Sequence, residues 1–340
     1  MIKKIILGSL FLGLLISIAV FYSVRVQGAL TEKTTIYISS EDSYSEVFEK
    51  LRPRLKSPQL FDKIAALKKY PSLIKDGKYV IDTDQSIISI VNDLRVGKQV
   101  PVNIKFNNQD DLEQLAIRLA EQLELNSGEL FRVMSDSSFI AKNGFTINTA
   151  IAMYLPNTYQ VYWDIEPEQL RSRFLNEYRK FWNENRVAKA KAQGLSPIEA
   201  SILASIVQKE TSYLAERPTV SGLYLNRIHQ GIPLQADPTV IYALKQTYGQ
   251  DFEVKRVLNK DLLINSPYNT YKHRGLPPGL ISMPDLSSVN AVLNPSQHDY
   301  IFMCASVDNP GQHEFARSLS KHNQNAAKYR RWINQQGIKR

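Results

Sequence analysis

The sequence predicts an α+β protein with an N-terminal transmembrane helix, a small α+β module and a larger α+β domain. Three observations carry that fold class. An apolar stretch, Ile5–Val24, follows a short basic start at Met1–Lys4. A strand–helix–helix–strand pattern occupies the span from Thr31 to about Val102. Beyond it helix-period patterns dominate, with strand patterns near the start and near the C-terminus. The 340 residues are 43% hydrophobic, which excludes an intrinsically disordered chain and allows one large core or two smaller ones.

Across Ile5–Val24 the only polar side chains are serines and Tyr22. At 1.5 Å rise per residue, about 20 residues are needed to cross the hydrocarbon layer, and this stretch just supplies them. Lys3 and Lys4 on the short side put the N-terminus in the cytoplasm and the body on the extracytoplasmic side. A cleaved signal peptide is the competing reading. The run is longer than a signal core and no clean small-x-small site follows it, so residues 1–26 are expected to form a cytoplasmic stub and an uncleaved anchor. Three charges of the +9 surplus, Lys3, Lys4 and Arg25, lie in the first 25 residues, which leaves +6 on the body. Such a surplus suits nucleic acid, an anionic membrane or an acidic polymer, and export argues against nucleic acid. Cys304 is the only cysteine, so an intramolecular disulfide and a cysteine-built zinc site are excluded.

Thr34–Ile38 alternates like a strand, and Ser45–Leu51 has the apolar spacing of a short helix. Phe61–Lys69 reads as a second helix, broken at Pro71. Gly77–Ile81 follows as a strand, and Ser86–Leu94 as a helix closed by Gly97. Val100–Phe106 is a further strand, and a domain boundary is expected near Phe106. Asp110–Leu123 then places Leu112, Leu115, Ala116, Leu119 and Leu123 on one helical face. Pro167–Ala192 reads as one long helix whose aromatics, Phe174, Tyr178, Phe181 and Trp182, suit a core better than a sugar-stacking platform. Tyr300–Ala305 and His313–Ala316 form a hairpin around the turn Asp308–Gly311, and a last helix covers Asn323–Gln335.

The most informative segment is Ser196–Thr211. Ser196, Pro197 and Glu199 make a capping box with proline at the first helical position. Taking Leu203 as zero, Ile206 lies at about −60° and Val207 at about +40°, while Glu210 falls at about −20°, inside the apolar stripe that Leu214 extends. Gln208, at about +140°, faces away. A glutamate so placed has three explanations: it pairs with a buried base such as Arg217 or Arg227, it sits where the helix end meets solvent, or it is a catalytic acid. Desolvation raises a carboxyl's pKa, and a carboxyl kept neutral can donate its proton to a glycosidic oxygen.

Further motifs follow that helix: Leu225–Ile228, Pro233–Tyr242, Ser266–Tyr271 and Gly275–Pro284. With Leu203–Thr211, the upstream Leu155–Tyr159 and the C-terminal Ser320–Asn323, this series resembles the MltG/YceG-like endolytic murein transglycosylases, in order from about Met153 to Tyr329. The resemblance implies a YceG-like catalytic domain over residues 107–340 and, by position alone, a LysM-like module over 27–106. It also implies cleavage of the β-1,4 bond between N-acetylmuramic acid and N-acetylglucosamine in peptidoglycan glycan strands, leaving a 1,6-anhydro end. The family's catalytic acid falls on Glu210. Many members carry a second glutamate where this chain has Gln208.

In the implied mechanism Glu210 protonates the leaving oxygen and then acts as base toward the muramic C6 hydroxyl, so no second carboxylate is required. An ordinary glycosidase would need one. Asp237 is the candidate for it, although Asp237-Pro238-Thr239 before an apolar run also reads as an N-cap. Gln235, Asn269 and Tyr271 are further substrate-binding candidates: the amides suit acetamido groups and hydroxyls, and the ring suits a sugar face. Loop packing and Asx-turn formation are the structural alternatives. Gly275–Gly279 is expected to be a rigid turn shaping the cleft wall. His313 is expected to be solvated or locally bonded, His322 to belong to a helix start, and Cys304 to be an inert core thiol. No metal-ligand spacing appears, and no metal or other cofactor is expected. Peptidoglycan synthases are the expected functional neighbours. A muramidase-type hydrolase and a non-catalytic wall-binding scaffold stand as the alternatives.

Overall fold

The computed structural model describes residues 2–254 and 256–335, with side chains from residue 6 onward. Met1, in the expected cytoplasmic stub, and residues 336–340, in the expected catalytic domain, lie outside the described residues, as do the side chains of Lys3 and Lys4. The chain forms two compact units.

The first unit contains the chain up to Ile104 and takes back Leu119–Asn126 and Thr158–Glu166. It begins with α1 (Ile2–Arg25), of which Ile6–Arg25 is long and apolar enough to cross a membrane. After α1 the chain is tied down by two antiparallel bridges, Gly28 to Ser86 and Leu30 to Leu55. Glycine is required at the first, because a Cβ on residue 28 would lie 2.0 Å from the Thr83 carbonyl oxygen. β1 (Thr34–Ile38) alternates buried and exposed residues, as half-burial of one sheet face demands. α2 (Tyr44–Leu51), opened by a Ser43–Glu46 capping box, and α3 (Pro58–Leu67) lead to β2 (Gly77–Ile81), which pairs antiparallel with β1. α4 (Ile87–Val96) is capped by Ser86 and closed by Gly97 at φ +76°, a left-handed position that suits glycine. Ile38, Val47, Leu51, Phe61 and Ile90 form the core of this α+β fold. The returning segments are stitched on by Glu124, which accepts the Ser40 N–H at 2.9 Å, and by Trp163 edge-on to Tyr37. β3 (Val102–Phe106) and β4 (Asn157–Val161) make a separate two-stranded sheet.

The second unit is mainly helical. It contains α5 (Leu112–Ala120) as far as Arg118, then α6 (Ser127–Met134), α7 (Ser137–Lys142), α8 (Pro167–Phe181) and α9 (Glu184–Ala192). The single helix expected over Pro167–Ala192 is two helices, because Asn183 leaves the helical register and caps α9 by accepting the Arg186 N–H at 3.0 Å. Phe174, Tyr178 and Trp182 are buried, while the exposed face of Phe181 carries the Arg186 guanidinium. α10 (Pro197–Glu210) starts at the expected capping box and runs through the middle of the unit, with Ala200–Val207 buried without interruption. α11 (Arg217–His229), α12 (Asp237–Tyr248) and α13 (Leu286–Leu293) pack against it. The hairpin is β5 (Phe302–Ala305) paired antiparallel with β6 (His313–Ala316). α14 starts at Leu319 rather than Asn323, because the Ser318 hydroxyl accepts the Lys321 N–H and caps it one turn early.

Candidate functional site

α10 ends at Glu210 because Thr211 turns to an extended backbone, φ −137°. Leu214 therefore lies on a separate 3₁₀ turn and is exposed, so it does not extend the stripe. α10 is buried on all sides, including the face that carries Ser201 and Ser205. Its last turn still separates the two polar residues. Gln208 faces α13, where its side-chain oxygen accepts the Asp285 N–H. Glu210 enters a cavity of about 430 Å³ shared with Tyr224, Arg227, Gln235, Asp237, Tyr271 and His313.

The Glu210 side chain is 16% exposed. Tyr224 donates its hydroxyl to Glu210 Oε2 at 3.0 Å, and His313 Nε2 stands 3.9 Å from Oε1. Neither arginine considered as a partner reaches it. Arg217 binds Asp285 at 2.7 Å, and Arg227 donates to the Pro233 and Ile301 carbonyls and to Gln235 Oε1. Burial pushes the Glu210 carboxyl above the usual carboxylate range; the imidazole of His313 and the Tyr224 bond oppose that shift, and Asp237 and Glu216 add to it. Its place at a helix C-terminus, the negative end of the helix dipole, works in the same direction.

Asp237 is the first residue of α12 and not its N-cap. Ala236 holds the cap position, and its N–H goes to the Thr270 hydroxyl at 3.1 Å. The Asp237 carboxylate instead accepts the Tyr271 phenol at 2.6 Å, inside the cavity. Burial and that bond raise the pKa of Tyr271, so the phenol stays protonated. Gln235 has a left-handed backbone, φ +53°, which is unusual for a residue with a Cβ. Its N–H donates to the Thr270 carbonyl and its side-chain oxygen accepts from Arg227 at 2.6 Å.

Asn269 is not among the lining residues. It is fully buried, donates to the Leu262 and Ile264 carbonyls, each at 2.9 Å, and accepts the Tyr271 N–H at 3.0 Å in an Asx turn. It therefore shapes the loop that presents Tyr271. Gly275–Gly279 does not wall the cavity either. A Cβ on Gly279 would lie 2.3 Å from the Asn148 carbonyl oxygen, and two residues later the Ile281 N–H donates to Ser205 of α10. Cys304 lines the cavity rather than the core, and burial raises its thiol pKa.

Sequence reasoning missed Tyr224 and Glu216 and set His313 aside. Glu216 is buried, accepts the His313 N–H at 2.7 Å, and faces the ring Nδ1 at 2.9 Å. His322 stacks on Phe302 at the cavity edge, in the first turn of α14. The Asn226-Arg227 pair inside one of the motifs was the available signal. Asn226 binds the carbonyls of His298 and Tyr300 and Arg227 that of Ile301, so α11 holds the chain leading into β5. Among the described residues, no group of three or more His, Cys, Asp or Glu is arranged to hold a metal ion.

Known proteins resemble this chain closely enough to inform the site. The model of the YceG-like family matches residues 36–328. An endolytic murein transglycosylase of Bacillus subtilis (strain 168) is 28% identical over 317 residues, spanning 87% of this chain and 85% of that protein. One from Streptococcus pneumoniae is 30% identical over 139 residues, 41% of this chain and 25% of the pneumococcal protein. The crystal structure of a putative YceG-like protein from Listeria monocytogenes aligns with a TM-score of 0.57 at 27% identity, over 86% of this chain and 98% of that one.

Proposed function

The chain belongs to the YceG-like family, and from that premise we propose that it is an endolytic murein transglycosylase of nascent peptidoglycan. The observation that carries the reading is Glu210: a carboxyl held toward its neutral form, with no arginine or lysine among the described residues bound to it, in a polar cavity. In the reaction, Glu210 gives its proton to the bridging oxygen as the bond from the muramic anomeric carbon to O4 of N-acetylglucosamine breaks. The muramic C6 oxygen then bonds to that carbon, and its hydroxyl proton returns to Glu210. No water is consumed, the carboxyl ends as it began, and the products are a free 4-hydroxyl and a 1,6-anhydro end. Gln235, Asp237 and Tyr271 bind the glycan around the scissile bond, and Asn269 acts by holding the Tyr271 loop. Positioning of the strand supplies the remainder of the rate.

α1 serves as a single-pass anchor with its N-terminus in the cytoplasm, so the body works on the outer face of the membrane beside the peptidoglycan synthases. In this organisation residues 1–26 are stub and anchor, 27–106 a LysM-like module, and 107–340 the catalytic domain. One observation favours a second reading. Asp237 supplies a second carboxylate in the cavity, as a water-using muramidase needs. The test is digestion of purified peptidoglycan by the detergent-solubilised full-length chain, with product ends identified by mass spectrometry. Anhydro ends that disappear in Glu210→Gln support the proposal. Reducing ends, one water heavier, establish the hydrolase, and absence of products from folded protein leaves a wall-binding scaffold.

A further inference from the structure

We propose that His313, held by Glu216, is a positioning residue for Glu210: the pair fixes an imidazole beside Oε1 of the carboxyl and so sets how readily the carboxyl gives up its proton. This rests on Glu210 being the acid of the reaction above, and it gives a role to two residues that the reaction scheme leaves unused. Glu216 lies on the turn after α10 and is 7% exposed. Its two oxygens take the backbone N–H and the ring Nδ1 of His313, at 2.7 and 2.9 Å. A carboxylate only accepts, so Nδ1 carries a hydrogen and Nε2 is the ring atom left to face Glu210.

Nε2 stands 3.9 Å from Glu210 Oε1. Tyr224 already donates to Oε2 at 3.0 Å, so the carboxyl's own hydrogen belongs on Oε1. The 3.9 Å gap is too long for a hydrogen bond. The ring therefore acts on the carboxyl through its charge and dipole rather than by a bond to it. The groups lining the same cavity are Tyr224 and Arg227 from α11, Asp237 from α12, Tyr271, Cys304 from β5 and His322 from α14. α13 also packs on α10, but Asp285 at its start is bound by Arg217.

Two substitutions in the full-length chain test the proposal by moving the Glu210 titration in opposite directions. The positive form of His313 lowers the Glu210 pKa and the negative form of Glu216 raises it. His313→Gln should therefore move the alkaline limb of the pH–rate profile upward, and Glu216→Gln should move it downward. kcat should fall roughly 10- to 100-fold in both, with KM within about twofold. The same shifts should appear in the 13C resonance of the Glu210 carboxyl in glutamate-labelled protein, assigned by its loss in Glu210→Gln. An unmoved limb and resonance in His313→Gln overturn the proposal, as does a rise in KM alone, which would make His313 a substrate contact. If His313→Gln does not fold, Glu216→Gln decides by the same titration. Absence of anhydro product from the wild-type chain would remove the transglycosylase reading, while the carbon titration would still decide whether His313 acts on Glu210.

Discussion

Glu210 and Asp285 are two sheltered carboxyls beside α10, their side chains 16% and 33% exposed. Burial pushes the pKa of each upward. At Asp285 the push is outweighed. Arg217 contacts both oxygens, at 2.9 and 2.7 Å, and the Ser288 N–H caps α13 on Oδ1 at 2.7 Å, so the carboxyl ends below its usual range. At Glu210 the only close donor among the described residues is the Tyr224 phenol, and burial wins. Burial alone therefore does not mark a chemical carboxyl; uncompensated burial does. Gln208, only two residues before Glu210, falls on the compensated side through its bond to the Asp285 N–H.

The largest expected effect breaks the uncompensated member. Glu210→Gln should lower transglycosylation by about 10²- to 10⁴-fold while the protein stays folded. The sign of its stability effect is also fixed. Because the folded-state pKa of Glu210 is raised, its favourable contribution is complete below the unfolded pKa of about 4.3 and is lost as pH rises through the folded value. Glu210→Gln should therefore melt at or above the wild type at pH 8, with the gap closing toward pH 4, as a thermal scan at several pH values would read. Arg217→Met makes the converse case by leaving Asp285 uncompensated. It should cost about 2 kcal/mol at neutral pH, below the full value for a buried pair because Asp285 is partly exposed, and leave kcat of the folded fraction within a few-fold. Asp285 contributes its stability above its unfolded pKa of about 3.9, and the wild type loses it as pH falls through the lower folded value. The variant's melting temperature should accordingly fall less steeply in acid.

Local signals made one half of this contrast legible and long-range packing hid the other. The Ser196 capping box and the Gly97 stop are set by a few neighbouring residues, and both fall where the sequence puts them. The break at Asn183 interrupts a periodicity that continues across it, so pattern alone merges α8 with α9. Asp237 has the composition of an N-cap, but Thr270, more than thirty residues later, supplies the bond that lets Ala236 take that place. Glu216 and His313 are 97 residues apart and meet only through tertiary packing. The angular placement of Glu210 led into the cavity although α10 is buried on every side, because the helix ends there and the side chain leaves from its last turn. Tyr224, one helix further on, had no signal of its own. Tyr224→Phe removes the close donor to Glu210 and should lower kcat roughly 3- to 10-fold, the worth of one hydrogen bond to a carboxyl. The bond lowers the Glu210 pKa, so the alkaline limb of the pH–rate profile should rise slightly.

The smallest expected effect tests where the boundary between the two carboxyl environments lies. The family resemblance implies a glutamate at the position of Gln208 in many members, so Gln208→Glu places a second carboxyl two residues before the first. If that position served the chemistry, activity should rise. Its surroundings argue otherwise. The side-chain oxygen is used by the Asp285 N–H, and the amide nitrogen lies 3.4 Å from the Met283 carbonyl, a long contact that a carboxylate forfeits. The new charge also faces Asp285, whose own charge Arg217 already balances. Gln208→Glu should therefore cost about 0.5–1 kcal/mol in thermal stability and leave the rate of anhydro-end formation and its pH profile unchanged. A rate increase would move the boundary to the other side of Gln208 and make the last turn of α10 a two-carboxyl site.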